Sequence, residues 1–335
     1  MRNKDVQNYG REKVNRRSKL QKKNILFTKT AERRFLSSCG NMEIMKEGSR
    51  KIILGIFGFL IFVDALAWLA VWDLSRPQLF EVDFFDVGQG DSIFIETPGN
   101  QQILIDGGPD STVLEKLGKE MPFWDRTIDL VILTHPDYDH LDGLIEVLKS
   151  YRVEKILWTG VASDKKRGEY DDWLKALRKE KAEVFIAQAG QSISAGDVPM
   201  EVLSPLENLQ GQELANFNNS SVVIKAVFGQ NSFLFTGDIS KTAEKKIIGS
   251  GADVKANVLK IAHHGSNSST SEELLTAVSP ETAVISVGAG NTYGHPSQGT
   301  LDILNKYGIR VLRTDQQGDI KIISDGNNFK IINSQ

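Results

Sequence analysis

From position 80 onward, hydrophobic residues occur in short runs separated by turn residues, a pattern typical of strands that alternate with helices. LFEVDFFDVG and SIFIETPGNQQILIDGG predict three strands, with a hairpin turn at Pro98, Gly99 and Asn100. Further strands are predicted at DLVILTH, KILWTG, EVFIAQ, VVIKAVFG, SFLFTGD, VLKIAHHGS, TAVISVGAG, VLRTD and DIKIISDG. Helical spacing follows Gly108 and recurs at LDGLIEVLKSY, DDWLKALRKEK, AEKKIIGSG and SEELLTAV. The pattern predicts an α/β sandwich with its helices outside and its motifs at strand ends.

Residues 52–72 form a continuous apolar stretch, IILGIFGFLIFVDALAWLAVW, with one charge at Asp64. A bilayer span needs about 20 such residues. We favour a single membrane anchor over a cleaved signal peptide, because the stretch is long and lacks a small-residue cleavage site. A buried core helix is the third alternative. Asp64 is either neutral in lipid, paired within an oligomer or simply a tolerated polar residue.

Charge is distributed unevenly along the 335 residues, although the formal net charge is only −3. Residues 1–51 hold 15 Lys/Arg against 5 Asp/Glu, whereas the remainder hold 25 against 38, a balance of −13. The excess of Lys and Arg before the apolar stretch predicts that this stretch lies in the cell membrane with the N-terminus in the cytoplasm. The remainder of the chain is then exported. We therefore expect a basic arm (1–51), a transmembrane helix (52–72), a linker (73–79) and one folded domain (80–335). The true start is Met1, Met42 or Met45.

The histidines point to chemistry. The chain has five, and all lie in three turn-like places at strand ends, each beside glycine or proline: His135 and His140, His263 and His264, and His295. Imidazole is the commonest metal ligand in proteins, and loops on a rigid scaffold are where sites are built. The single cysteine, Cys39, excludes a disulfide framework.

The stretch THPDYDHLDG, residues 134–143, carries two of these histidines with three aspartates. In an extended loop, alternate side chains point in two directions. His135 and Asp137 can then bind one ion, while Asp139 and His140 bind a neighbouring one, and Asp139 is in addition a candidate catalytic residue.

Two later motifs supply further candidate ligands. Asp238 in TGD follows a strand, and a carboxylate there can bridge two ions that lie about 3.5–4 Å apart. LKIAHHGS supplies one more imidazole. We favour His264 over His263 because adjacent side chains of an extended strand point to opposite faces.

Three further aspartates and the last histidine have open roles. Asp86 and Asp91 in DVGQGDS, and Asp106 in LIDGG, either support a ligand from behind or belong to glycine-mediated turns. His295 in NTYGHPS either donates a proton to a leaving group, binds substrate or ligates metal.

Taken in order, THPDYDHLDG, TGD and HHGS resemble the metallo-β-lactamase-fold hydrolases, whose pattern is HxHxDH, a bridging aspartate and a late histidine. FFDVGQGDSIFIETPGNQQILIDGG, VLSP, NNSSVVI, LKIAHHGS, YGHPS and RTDQQGDIKIISDG sharpen the resemblance to the C-terminal domain of ComEC-type DNA-internalisation proteins, over roughly residues 80–325. The resemblance implies a four-layer αβ/βα sandwich with metals in a cleft between two sheets. The family pattern carries over to His135, Asp139, His140, Asp238 and His264.

The chain departs from the common pattern at two places, as the ComEC-like branch also does. Asp137 replaces the second histidine, and FNNSS, at Asn218 and Asn219, lacks the histidine of the third motif. An oxygen-rich site favours harder ions, so we expect two divalent ions, zinc or manganese. The alternative is one tightly held ion.

These features predict a membrane-anchored metal-dependent hydrolase that uses a metal-bound hydroxide. The resemblance implies a phosphodiesterase or nuclease related to DNA uptake, with single-stranded DNA as substrate and an envelope or competence partner. The charge of −13 outside the basic arm argues against a nuclease that grips long DNA by a basic face. The alternatives are hydrolysis of another phosphoester or cell-wall polymer, and a non-catalytic envelope component with a degenerate metal site.

Overall fold

The structure, a computed structural model, describes residues 47–74, 79–163, 168–214 and 216–333. The chain divides into two compact units, Met1–Arg76 and Pro77–Gln335. Of the predicted basic arm, only residues 47–51 are described. Cys39 and the alternative starts lie outside the described residues, as do residues 75–78 of the predicted linker.

The described part of the first unit is one helix of 28 residues, α1 (Glu47–Leu74). Within it, Ser49–Val71 has a hydropathy of 2.5, and it is the one stretch of the described residues that is long and apolar enough to cross a membrane. Leucine, isoleucine and phenylalanine cover the helix all round, as expected for a helix surrounded by lipid rather than amphipathic against a core.

The second unit is built from strands joined by short helices. Its described strands are β1 (Phe80–Phe84), β2 (Ile93–Glu96), β3 (Gln102–Ile105), β4 (Thr127–Ile132), β5 (Arg152–Trp158), β6 (Glu183–Ile186), β7 (Ser192–Ala195), β8 (Val198–Ser204), β9 (Val223–Phe228), β10 (Asn231–Phe235), β11 (Val258–Lys260), β12 (Thr282–Ile285), β13 (Arg310–Arg313), β14 (Ile320–Ser324) and β15 (Phe329–Asn333). Its described α-helices are α2 (Thr112–Glu120), α3 (Tyr138–Ser150), α4 (Gly168–Lys179), α5 (Lys241–Gly249), α6 (Glu272–Val278), α7 (Gln298–Lys306) and α8 (Thr314–Gln317).

The described strands form two sheets. The first has the order β15-β14-β1-β2-β3-β4-β5-β6, and the second has the order β13-β12-β11-β10-β9-β8-β7. In each sheet four consecutive strands are parallel: β3 to β6 in the first and β10 to β13 in the second. The chain after β4, β10, β11 and β12 therefore leaves the sheets at the ends where ligand-binding loops gather in α/β proteins.

Three apolar clusters define four layers. One cluster fills the space between the sheets and includes Phe84, Ile132, Phe235 and Val284. A second packs α2, α3 and α4 on the outer face of the first sheet, and a third packs α5, α6 and α7 on the outer face of the second. The predicted four-layer αβ/βα sandwich is therefore confirmed.

Helix α3 shows how sequence sets this packing. Its buried residues Leu141, Leu144, Ile145 and Leu148 follow the spacing of one helical face, so that face covers the first sheet. Gly143 lets the helix backbone touch the loop after β3, because a Cβ there would collide with the carbonyl oxygen of Gly107.

Two backbone bonds hold this helix in place, one from the Gly107 amide to the carbonyl of His140 (2.8 Å) and one from the Gly143 amide to the carbonyl of Gly108 (3.0 Å). The start of α3, with its candidate ligands, is thereby fixed against the loop that carries Asp106.

Candidate metal centre

Loops from both sheets converge at one end of the sandwich. The loop after β4 and the first turn of α3 face the loops after β10 and β11. Together they hold every histidine and aspartate that the sequence predicts as a metal ligand: His135, Asp137, Asp139, His140, Asp238 and His264.

His140 lies deepest and is oriented by Asp106. Its Nδ1 is 2.7 Å from Asp106 Oδ2, and its Nε2 is 3.5 Å from Asp238 Oδ1. Asp106 also accepts hydrogen bonds from the amide (2.8 Å) and the hydroxyl (2.6 Å) of Thr134. Because the carboxylate can only accept, Nδ1 of His140 carries the proton and Nε2 is left to bind an ion.

His135 is oriented in the same way through one more residue. Its Nδ1 is 3.0 Å from the Thr134 hydroxyl, whose proton is already given to Asp106. Nδ1 of His135 therefore donates, and its Nε2 faces Asp137 Oδ2 at 3.6 Å. The rings of His135 and His140 lie with their centroids 4.2 Å apart.

His264 completes the set from the second sheet. Its Nδ1 lies 2.9 Å from the carbonyl oxygen of Ser286, to which it donates. Its Nε2 lies 3.4 Å from Asp139 Oδ2 and 3.6 Å from Asp238 Oδ2. All three buried imidazoles thus present Nε2 towards Asp238 and its neighbours.

The predicted alternation of His263 and His264 across an extended strand is wrong. Strand β11 ends at Lys260, and both histidines have left-handed backbone with φ of 52°, so they do not alternate across a strand. His263 Nε2 also lies near Asp238, at 3.8 Å from Oδ2. His263 is 31% exposed, whereas His264 is buried. Among the described residues, groups of three His or Asp side chains have ligand atoms that all lie within 4.8 Å of one another, and of the two histidines only His264 belongs to such a group. The choice of His264 as ligand stays a prediction.

These atoms fit a divalent cation. Nε2 of His135, His140 and His264 and Oδ1 of Asp238 are buried and have no hydrogen-bond partner in the described part of the chain. Buried polar atoms are rarely left unpaired in folded proteins. Ligand atoms of His135, His140 and Asp238 lie within 4.8 Å of one another, and so do those of Asp139, His140 and His264. Imidazole nitrogen with carboxylate oxygen is a donor set that suits zinc or manganese.

Lys260 was not identified from the sequence, although its side chain contacts the aspartates of the centre. Its side chain is fully buried, and its ammonium group contacts the Asp91 carboxylate and lies 3.4 Å from the carbonyl oxygen of Gly237. The ammonium group is 4.0 Å from Asp238 Oδ1, and Asp91 Oδ1 is 3.4 Å from His264 Nδ1. A lysine inside the apolar run VLKIA was the available signal, since lysine is almost never fully buried unless paired.

The four residues whose roles the sequence left open, three aspartates and the last histidine, have different positions. Asp91 and Asp106 lie against the centre, whereas Asp86 accepts the amide of Gly88 within its own turn and donates its amide to Asp319. His295 lines the pocket above the centre.

An asparagine stands where the third-motif histidine was expected. Asn218 lines the pocket, and its Nδ2 lies 3.4 Å from His263 Nε2. Asn219 instead accepts hydrogen bonds from the amide and the hydroxyl of Ser240. At this place in the sequence two asparagines thus replace the expected histidine, while in the structure the ring of His263 lies beside Asn218.

Ion pairing shifts the pKa values of the centre. Burial opposes charge on Asp238, but His264 and His140 outweigh it and hold the pKa of Asp238 well below its usual range. Burial likewise opposes charge on His264, but Asp238 and Asp91 raise its pKa to about 10. In the metal-free protein these groups therefore form a buried network of ion pairs.

The metal-free protein is expected to lose stability as the pH rises from about 6.5 to about 10. The raised pKa of His264 contributes stability that is complete below 6.5 and lost as the pH passes through about 10. Asp238, with its lowered pKa, contributes stability above 3.8 and loses it in acid. Metal binding removes imidazole protons, so its affinity rises over the same interval. Thermal unfolding in EDTA measures the stability of the metal-free protein, and a Tm that rises between these pH values would contradict the expected loss. The same measurement with manganese shows whether metal affinity increases over this interval.

The fold and this centre define the class of protein. A family model described as the metallo-beta-lactamase superfamily matches residues 85–289. The chain belongs to that superfamily, a class of metal-dependent hydrolase fold whose members bind divalent metals.

Within this class the chain is similar to ComEC-type competence proteins, as its motifs predicted. It is 37% identical over 259 residues to ComE operon protein 3 of Bacillus subtilis (strain 168), and the alignment covers 72% of this chain and 32% of that relative. It is 32% identical over 245 residues to Competence protein ComA of Neisseria gonorrhoeae, again covering 72% of the chain and 32% of the relative. The chain thus spans about a third of the length of these relatives.

Solved structures align with the chain at lower similarity. CmlA, a diiron beta-hydroxylase from Streptomyces venezuelae, aligns with a TM-score of 0.46 and 14% identity, over 77% of this chain and 55% of that one.

Proposed function

We propose that this protein is a membrane-anchored, metal-dependent phosphodiesterase that acts on DNA strands. The observation that carries the proposal is one buried centre in which three imidazole nitrogens and Oδ1 of Asp238 converge without hydrogen-bond partners among the described residues. Bound divalent ions supply an activated water and stabilise the charge that develops on the phosphate. In the reaction an oxygen of water bonds to phosphorus, the P–O ester bond breaks and the alcohol leaves with a proton.

Two divalent ions would be held by two sets of residues, with Asp238 available to both. His135 and Asp137 would hold one ion, and Asp139, His140 and His264 would hold the other. Thr134, Asp106 and Ser286 hold the imidazoles so that each presents Nε2, which avoids a cost of reorientation when the ions bind. Asp139 also borders the pocket, where its carboxylate can accept a hydrogen bond from the reacting water.

His295 is the residue of this centre best placed to contact the leaving group. It lines the pocket, and its Nδ1 has no hydrogen-bond partner among the described groups. Burial, followed by the neighbouring His263 and His264, lowers its pKa, so it is neutral at pH 7 before substrate arrives. An anionic phosphate beside the ring would raise that pKa and turn His295 into a proton donor.

The helix α1 supports a proposal about membrane anchoring, and the similar competence proteins support one about the cellular role. We propose that α1 spans the cell membrane with the N-terminus in the cytoplasm, because Lys and Arg dominate the residues before it. The similarity to competence proteins favours a role beside an envelope or competence partner in DNA uptake.

Turnover of three substrates tests the proposal. The full chain, purified in detergent, is loaded with zinc or manganese and incubated with single-stranded DNA, bis-p-nitrophenyl phosphate and a lactam. We expect both phosphodiesters to be hydrolysed with at least one of the two metals, and EDTA to abolish the reaction.

Two results would overturn the proposal. Turnover of the lactam alone would reject a phosphodiesterase. Absence of bound metal after careful loading, measured by elemental analysis, would reject an enzyme and favour a non-catalytic envelope component.

A further inference from the structure

Two exposed tyrosines stand at the mouth of the pocket. Tyr138 is the first residue of α3, between Asp137 and Asp139, and Tyr293 lies in the loop between β12 and α7. The side chains are 45% and 57% exposed, yet their hydroxyl oxygens lie 2.8 Å apart. Both line the same pocket of about 290 Å³ as Asp139 and Asp238.

The ring of Tyr293 packs against the ring of His295. It lies nearly parallel to the ring of His295, with centroids 6.0 Å apart and an interplanar angle of 19°. His295 in turn contacts the ring of His263 at 5.7 Å. Asn291 fixes the loop, since its amide group donates to the His295 carbonyl (2.6 Å) and its Oδ1 accepts the His295 amide (3.0 Å). A fixed aromatic ring loses little entropy when a ligand stacks on it.

The charge of the pocket limits how a nucleic acid can be held. Among the described residues that line it there is no Lys or Arg, while Asp137, Asp139 and Asp238 are acidic. The sugar-phosphate backbone therefore finds no side-chain cation here. Stacking on aromatic rings needs no such cation, and losing one stacked base weakens binding by about 10- to 100-fold.

We infer that Tyr138 and Tyr293 form a stacking site for an unpaired nucleobase next to the phosphodiester that is cleaved. The inference rests on the proposed phosphodiesterase function and narrows its substrate to single strands and nucleotide esters. A base inside a duplex is covered on both faces, so this site accepts it only after it leaves the stack. An acidic domain can thus act on DNA without a basic face.

Strands with and without bases test the inference. The metal-loaded full chain is given end-labelled oligothymidylate, an oligomer of equal length made of abasic residues, and a duplex. We expect the kcat/KM of the wild type to be at least about 10-fold higher for oligothymidylate than for the abasic strand. Tyr293→Ala should bring that ratio close to one, and Tyr293→Phe, which keeps the ring, should preserve it.

Metal content and Tm of each variant separate stacking from damage to the centre. Tyr293 is the primary test because Tyr138 adjoins two proposed ligands. Equal kcat/KM of the wild type on abasic and base-bearing strands would overturn the inference and leave the phosphodiesterase intact. A Tyr293→Ala variant that keeps the preference, or that loses both activities equally, would also overturn it. A wild type that cleaves none of the strands rejects the proposed function and the stacking site with it.

Discussion

Asp139→Ala is expected to lower kcat/KM for phosphodiester hydrolysis by at least about 10²- to 10³-fold, the size of loss seen when one group that stabilises developing charge is removed. Asp139 Oδ2 lies 3.4 Å from His264 Nε2, and the side chain is 16% exposed at the pocket. The affinity for the second ion should fall by at least about 10- to 100-fold, since even the outer partners of metal ligands have effects of this size. Steady-state kinetics and equilibrium dialysis with manganese measure the two losses.

Asp142 offers a matched control, because it is an aspartate in the same helix, three residues further on. It is absent from the described clusters of possible ligands, and burial with nearby Glu169 and Asp139 raises its pKa to about 6. Asp142→Ala should leave kcat/KM within about twofold of the wild type, because Asp142 is in none of the described groups of possible ligands and its loss acts mainly on stability. Equal losses in the two variants, or unchanged turnover in Asp139→Ala, would mean that the centre is misassigned.

Lys260→Met is expected to reduce the free energy of unfolding of the metal-free protein by about 3–5 kcal/mol, the usual effect of removing one partner of a buried ion pair. The change leaves the Asp91 carboxylate in the core without the ammonium group that contacts it. For a domain of this size the loss corresponds to a fall in Tm of about 6–20 °C. Denaturation in EDTA measures it without interference from metal binding.

Lys225 in the same sheet provides the comparison. Its ammonium group lies 2.7 Å from Asp253 Oδ2, but Asp253 is 73% exposed, so Lys225→Met should reduce the free energy of unfolding by roughly 0–1 kcal/mol. Adding Asp91→Asn to Lys260→Met removes the unpaired charge and should recover part of the stability. A Lys260→Met variant no less stable than Lys225→Met would show that the buried pair contributes little.

The fold was predictable where the hydrophobic pattern was strong. Helix α3 and the strands around it follow from period and turn residues, whereas β7, β8 and β15 were not predicted. Strand β7 reads SISA and is mostly exposed at the edge of its sheet. Strand β8 contains Pro199, a residue that argues against a strand in sequence although an edge region tolerates it.

The candidate centre was predictable in its residue types but not in its supports. Histidine and aspartate at strand ends identified the residues that the structure brings together. The pairing of Asp91 with Lys260 could not be read from sequence, because the two lie far apart along the chain and meet only through the sheets. The left-handed turn at His263 and His264 could not be read from the sequence either, since only a few per cent of non-glycine residues adopt that backbone.

Asp106 has a consequence for how the centre fills. Its one carboxylate bonds directly to His140 and, through the Thr134 hydroxyl, reaches His135. Under the proposed assignment the two imidazoles would serve different metal positions, yet both take their orientation from the same anchor at the end of β3. Both rings are held before any ion binds, so replacing Asp106 would loosen them together and weaken metal affinity at both positions. The two positions would therefore share one support instead of depending on separate ones.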